Sequence, residues 1–393
     1  MGVATIITYC TRCIMPDTKP DLTFDGDGVC SACRYYEQRT HIDWPARKAE
    51  LGELLNNYRS TTHYDCIVPV SGGKDSHAQV ITMLEMGMHP LAVCATTCAL
   101  SDLGRRNLDN LKRLGVDCVE FTTNPVVRRK LNRIGLEQVG DISWPEHAAI
   151  FTIPVRAAVA YGVPLIIWGE NSQREYGGPA AAADKTTLDH AWLSEYGGLL
   201  GLRPSDMVGQ DGITQRDMLP FSYPSDAELD MAGVTGLFLG HYLPWDGRDN
   251  AHAAGKQGFM RSPAAVEGTG FTHENLDNLQ TGIHDYLKFL KYGYGRATDL
   301  ACMQVRSGEG TRDWAAMHAW IHEGDVPSTY LGVPTQQILS GIGLSMDKFA
   351  AICDEFTNRD LFVCDDDGAL HKDRDGNLVK VSYPSYVPWF EYH

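Results

Sequence analysis

From Tyr64 to Gly169 the chain alternates short apolar runs with longer amphipathic ones, and this constrains the fold more than any other feature of its 393 residues. Strands are expected at Cys66 to Val70, Pro90 to Thr97 and Asp117 to Thr122, with another from Pro164. Between them, helical patterns run to about Met86, from Leu103 to Leu114, from about Pro125, and from His147 to Tyr161. Strands separated by helices of this length predict an α/β fold with a doubly wound, mostly parallel sheet covered on both faces. Ligands of such sheets sit at the carboxyl ends of the strands, so the loops after Val70, Thr96 and Trp168 are where a site is expected.

Around this core the chain divides into three parts: an N-terminal metal-binding module over residues 1–42, the α/β domain over 43–270, and a mainly helical region over 271–393. Residues 171–223 are rich in Gly, Pro, Ala and charge and read as a long insertion in the α/β domain. "GLFLGHY", from Gly236 to Tyr242, returns to strand character. Helices are expected in "ENLDNLQTGIHDYLKFLKYG", "RDWAAMHAWIHEG" and "MDKFAAICDEFTNRDLF", and the tail from Asp365 shows two Asp/Gly-rich turns.

The second constraint is cysteine spacing. Cys10, Cys13, Cys30 and Cys33 form C-x2-C-x16-C-x2-C, the spacing of a four-thiolate zinc site, with an iron–sulfur cluster as the competing occupant. Between the pairs, Asp25 to Gly28 supplies the turn of a small hairpin. Four thiolates fill a tetrahedral zinc, so this site is structural. The remaining cysteines read as apolar fillers, with a redox or sulfur-carrying Cys94–Cys98 pair as the alternative.

Charge and targeting signals narrow the function classes. The formal net charge of −16 disfavours extended binding to a nucleic-acid backbone. The local run Arg128, Arg129, Lys130 and Arg133 reads as a solvated helix face. No run of about 18 apolar residues could span a membrane, and the N-terminus lacks a basic segment before an apolar core, so a cytoplasmic location is expected. His318 and His322 have i, i+4 spacing but lack the Glu of H-E-x-x-H, so they also read as a solvated face.

The chemistry concentrates in "YDCIVPVSGGKDSHAQV". A strand, a Ser-Gly-Gly turn and a helix opening near Asp75 present backbone N–H groups and a positive dipole end to an anion. The loop does not match G-x-x-x-x-G-K-[ST], because no earlier glycine stands at the required distance. Ser71-Gly72-Gly73-Lys74-Asp75-Ser76 resembles instead the SGG-x-D-S loop of the PP-loop ATP pyrophosphatases. That resemblance implies that the loop grips the β- and γ-phosphates of ATP while an acceptor oxygen attacks the α-phosphate and pyrophosphate leaves. Lys74 and Asp75 would serve catalysis, with Asp75 on Mg2+, and Thr96 is a further candidate for nucleotide contact.

Further stretches resemble the N-acetyl sugar amidotransferases of bacterial surface-polysaccharide pathways. They are "CTRCIMPDTKP", "GVCSAC", "GRRNLDNL", "IIWGENSQREYGG" and "KYGYGRATD". The resemblance implies an enzyme that uses ATP and ammonia to convert an acetamido group on a sugar, for lipopolysaccharide or O-antigen, into an acetamidino group. Glu170 and Asn171 become catalytic candidates, and Glu175, Tyr176, Gly177, Gly178, Lys291 and Arg296 candidates for the sugar. No G-x-C-x-G elbow is present and position 2 is Gly2, so neither usual glutaminase nucleophile is available. The resemblance implies ammonia from a separate glutaminase with an ammonia-conducting subunit. The alternatives are a zinc-containing tRNA thiolase of the same superfamily and a non-catalytic ATP-binding scaffold.

Overall fold

The computed structural model describes residues 7–170, 177–178 and 199–384. Its centre is a five-stranded parallel sheet of β1 (Cys66–Pro69), β2 (Pro90–Thr96), β3 (Asp117–Thr122), β4 (Leu165–Trp168) and β5 (Thr235–Phe238), in the order β3-β2-β1-β4-β5. The chain builds outward from β1 to β3 and then crosses back to β4. The order therefore reverses between β1 and β4, where Ile67 pairs with both Leu91 and Ile166. A reversal of this kind opens a crevice outside the carboxyl ends of these two strands.

Period-2 alternation explains why both faces are covered. Cys66, Val68, Ala92, Leu165 and Ile167 pack with Leu51 and Leu55 of α2 (Trp44–Asn56), Val80 and Met83 of α3 (Lys74–Glu85), and Leu108 and Leu111 of α4 (Asp102–Lys112). Ile67, Leu91, Val93 and Ile166 face the opposite way, onto α5 (Pro125–Val139) and α6 (Trp144–Tyr161). "GLFLGHY" is only half strand: β5 stops at Phe238, and Leu239–Tyr242 turns into a short helix.

The basic run on α5 is not the solvated face that its charge suggests. Arg128 is 1 % exposed, and its Nε donates to Glu146 Oε1 at 3.0 Å. Asn132 donates to the other Glu146 oxygen at 2.8 Å, while Arg129 remains exposed and Arg133 pairs with Asp211. Glu146→Ala would leave the Arg128 charge buried and unpaired, and is expected to cost about 3–5 kcal/mol in denaturant unfolding.

In the C-terminal part, Gly293 in the left-handed conformation ends helix Thr281–Tyr292, and helices Arg296–Arg306, Arg312–His322 and Met346–Phe356 follow. The expected helix at Asn275 starts six residues late, because Asn275 has φ +52° and Asn278 bridges to Leu100. His318 is also not solvated: it is buried, its Nε2 lies 3.0 Å from the Thr269 carbonyl, and Phe271 and Trp314 stack on it. The tail forms the two expected turns, at Asp365–Gly368 and Asp373–Gly376. No helix among the described residues is long and apolar enough to cross a membrane.

Candidate functional site

The loop after β1 sits at the strand-order reversal. Gly72 adopts φ +92°, and a Cβ built on it would lie 2.9 Å from the Leu108 backbone nitrogen. Both facts demand glycine, because L side chains disfavour this conformation and α4 leaves no room. The loop is tied to itself: Ser76 Oγ accepts the Ser71 N–H at 2.9 Å, and Ser71 Oγ accepts the Gly73 N–H at 3.3 Å. Gly73 then caps α3, leaving the first-turn N–H groups of Lys74, Asp75 and Ser76 without intrahelical partners and pointing out of the helix. Gly72→Ala is expected to destabilise the protein by about 1–3 kcal/mol in denaturant unfolding, since a side chain is strained at this φ and the turn must rearrange.

Beneath the loop lies His77, fully buried. Its Nδ1 is 2.9 Å from the Gly73 carbonyl and its Nε2 is 3.2 Å from Asn110 Nδ2. Burial lowers its pKa, which keeps the ring neutral, and a neutral tautomer that donates from Nδ1 and accepts at Nε2 satisfies both contacts.

Lys74 is the charge of the site. It is 8 % exposed, and its ammonium lies 2.9 Å from Asp75 Oδ2 and 2.8 Å from Glu274 Oε1. Burial alone would pull its pKa down, but the two carboxylates outweigh that and hold it above the ordinary lysine value. Lys74 is therefore a fixed cation. Asp75 also accepts from Asn250 Nδ2 at 2.8 Å. Asp277, which bonds the Ser71 side chain, has its pKa raised by burial. Gly104 lets that segment approach, since a Cβ there would stand 2.6 Å from Asp277 Cα.

Beside the loop is a cleft of about 280 Å3 at the ends of β1, β2, β4 and β5. Ser71, Ser76, Gln79, Phe151, Trp168 and Glu170 are among its walls. Glu170 thus faces the same space as the loop. Thr96 does not: Val93 and Ala95 line the cleft, whereas the Thr96 hydroxyl shares a face with Cys94.

The other sequence candidates scatter. Asn171, Glu175 and Tyr176 lie outside the described residues. Gly177 packs against the N-terminal module, where a Cβ would stand 2.6 Å from Leu22 and 2.9 Å from Ala32, and Gly178 follows it. Arg296 opens a helix; it approaches Glu274 Oε2 at 4.0 Å and Asn275 Oδ1 at 3.5 Å. Lys291 is turned to the end of α5, where it donates to the carbonyls of Val139 and Gly140 at 3.3 and 3.1 Å. Glu274, Asp277 and Asn250 were missed in the sequence, and "WDGRDNAH" and "FTHENLDN" carry no motif that marks them.

The four N-terminal cysteines converge. All four Sγ atoms lie within 4.8 Å of one another, with Cys10–Cys33 at 4.0 Å and Cys13–Cys30 at 3.8 Å. A tetrahedral zinc with Zn–S bonds near 2.3 Å needs sulfur edges of about 3.8 Å, so the donor set fits such an ion. The cluster is buried against Cys302, Ala315, Ala316 and Ala319 of the C-terminal helices. Buried Arg306 points its guanidinium at Cys13 Sγ, at 3.9 Å. A cation there offsets the excess negative charge of a four-thiolate metal centre. The module is thus fastened to the C-terminal region and not to the sheet alone.

Residues 267–373 match the family model described as "LPS biosynthesis protein WbpG-like, C-terminal domain". The match supports kinship with WbpG-like LPS biosynthesis proteins over this segment. It begins seven residues before Glu274 and contains Asp277 and Arg296, so the segment that matches is the one that reaches Lys74 and the loop. No curated protein matches the chain.

The surroundings of the two cysteines of the thiolase alternative favour the thiol over the thiolate. Cys94 is 4 % exposed and burial pushes its thiol up to about 12, so it is not a thiolate near neutral pH. Cys98 is exposed as a residue, and partial desolvation of its thiol also raises its pKa.

Proposed function

We propose that the chain is an ATP-dependent, AMP-forming amidotransferase that converts an acetamido sugar into an acetamidino sugar during lipopolysaccharide biosynthesis. The observation that carries this reading is the contact between Lys74 of the loop and Glu274 of the segment that matches the WbpG-like domain. It joins a loop whose sequence resembles the PP-loop to a segment that matches a model of LPS biosynthesis proteins.

In this reading the first-turn amides of α3 and Lys74 receive the β- and γ-phosphates, with Mg2+ carried by Asp75. The adenosine occupies the cleft lined by Phe151 and Trp168. The acetamido oxygen attacks the α-phosphorus, the bond to the β-phosphate oxygen breaks, and pyrophosphate leaves. Ammonia then adds to the imidate carbon, loses a proton, and expels AMP, which carries away the former acetamido oxygen. An amide carbonyl is a poor electrophile, and adenylation supplies the leaving group it lacks. The work of the protein is positioning and charge stabilisation. In this reading Glu170, which lines the cleft, would take the proton from ammonia, with magnesium or ribose contact as its alternative roles. Ammonia comes from a separate glutaminase, and a structural zinc occupies the four cysteines.

The test supplies purified protein with ATP, Mg2+, ammonium and a panel of free and nucleotide-linked diacetamido sugars. Pyrophosphate release that requires one sugar, with replacement of one sugar oxygen by NH, supports the reading. Pyrophosphate release that requires unmodified tRNA and sulfide would replace it with the thiolase.

A further inference from the structure

Away from the nucleotide loop, three side chains from three places in the sequence meet around one buried carboxylate. Asp141 lies in the turn between α5 and α6, His147 one turn into α6, and His284 in the first turn of helix Thr281–Tyr292. His284 Nδ1 is 2.8 Å from Asp141 Oδ1, and His147 Nδ1 is 3.2 Å from Asp141 Oδ2. The rings stand edge to face with centroids 5.1 Å apart, and the three donor atoms all lie within 4.8 Å of one another. We propose that Asp141, His147 and His284 form a second metal site, which takes a borderline divalent cation of the zinc class.

Donor chemistry and geometry support this. Two imidazoles with one carboxylate favour zinc, cobalt or nickel over calcium or magnesium, which prefer oxygen donors alone. A tetrahedral ion with bonds near 2.1 Å sets its donors about 3.4 Å apart; the two imidazoles approach different oxygens of the carboxylate, at 2.8 and 3.2 Å, and these contacts would open by about 0.6 and about 0.2 Å. The carboxylate is already oriented, because Asp141 Oδ1 accepts the Ser143 N–H at 2.8 Å, the kind of outer contact that holds a ligand in place. Asp141 is 2 % exposed, whereas about a quarter of each imidazole reaches solvent, so an ion would keep an open side for water. Lys291, which donates to the Val139 and Gly140 carbonyls beside the turn, is the nearby opposing charge. A bound ion would link the α5–α6 unit of the sheet domain to the first helix of the C-terminal region.

The experiment compares metal content. Wild-type protein, equilibrated with micromolar free zinc and desalted, is expected to carry one equivalent more than His284→Ala or Asp141→Asn. The cysteine cluster is common to all three, so the difference isolates this site. Cobalt loading distinguishes the centres in the wild-type protein, because only the cysteine site gives a thiolate charge-transfer band. Crystals of the wild-type protein grown with zinc should show an anomalous peak among the three side chains, a readout that does not depend on any variant folding. Equal zinc content in the variants, with no peak there, would mean that the three residues are a hydrogen-bonded cluster only.

Discussion

Asp75→Asn is expected to lower ATP-dependent pyrophosphate release by about a hundredfold or more, without unfolding the protein. The substitution keeps the side-chain shape, and the Asp75 side chain is about a third exposed at the loop, so packing changes little. What changes is charge. Asp75 lies beside Lys74 and accepts from Asn250, and in the proposed reaction it carries the Mg2+ that neutralises pyrophosphate as it leaves. Losing one preorganised group that stabilises charge in a transition state costs on the order of 10²–10³ in rate. Steady-state kinetics with a pyrophosphate-coupled assay, alongside a thermal melt, check both halves. Absence of pyrophosphate release from the wild-type protein would favour a scaffold that only binds ATP, and unchanged turnover in the variant would remove Asp75 from the reaction.

The second large effect concerns stability. Cys13→Ser, or removal of the metal by a strong chelator, is expected to detach the N-terminal module from the C-terminal helices. Structural zinc contributes on the order of 10 kcal/mol of apparent binding free energy in small metal-folded units. Here a further cost arises from Arg306, whose buried guanidinium would lose the Cys13 thiolate that it faces at 3.9 Å. A loss of several kcal/mol corresponds to a fall in melting temperature of about 10 °C or more for a unit of this size. Calorimetry with parallel zinc analysis would measure it. The loss should be largest in hydrogen-exchange protection of the helices Arg296–Arg306 and Arg312–His322, which pack on the cluster.

Some of this architecture is local and therefore legible in the sequence. Each central strand is a short apolar run closed by a turn, and the cysteine spacing and Ser71–Ser76 loop are contiguous signals. Other features are decided by tertiary partners. Nothing around Arg128 says that Glu146 will follow it into the core, and the same charge on the next residue, Arg129, stays in solvent. Glu274 and Asn250 touch the loop from about 200 and 175 residues further along the chain, so no window of sequence could pair them. Lys291 and Arg296 sit in one motif yet part company: a left-handed glycine between them ends the helix that carries Lys291, and Arg296 opens the next one.

The central claim is that ATP is split to activate an acetamido oxygen, and isotope tracing tests it most directly. A diacetamido sugar carrying heavy oxygen in its acetamido groups would be converted in the presence of ATP, Mg2+ and ammonium, and the nucleotide product analysed by mass spectrometry. The account predicts that the label appears in the phosphate of AMP, with pyrophosphate unlabelled. Label retained in the sugar, or cleavage of ATP to ADP and phosphate, would contradict it.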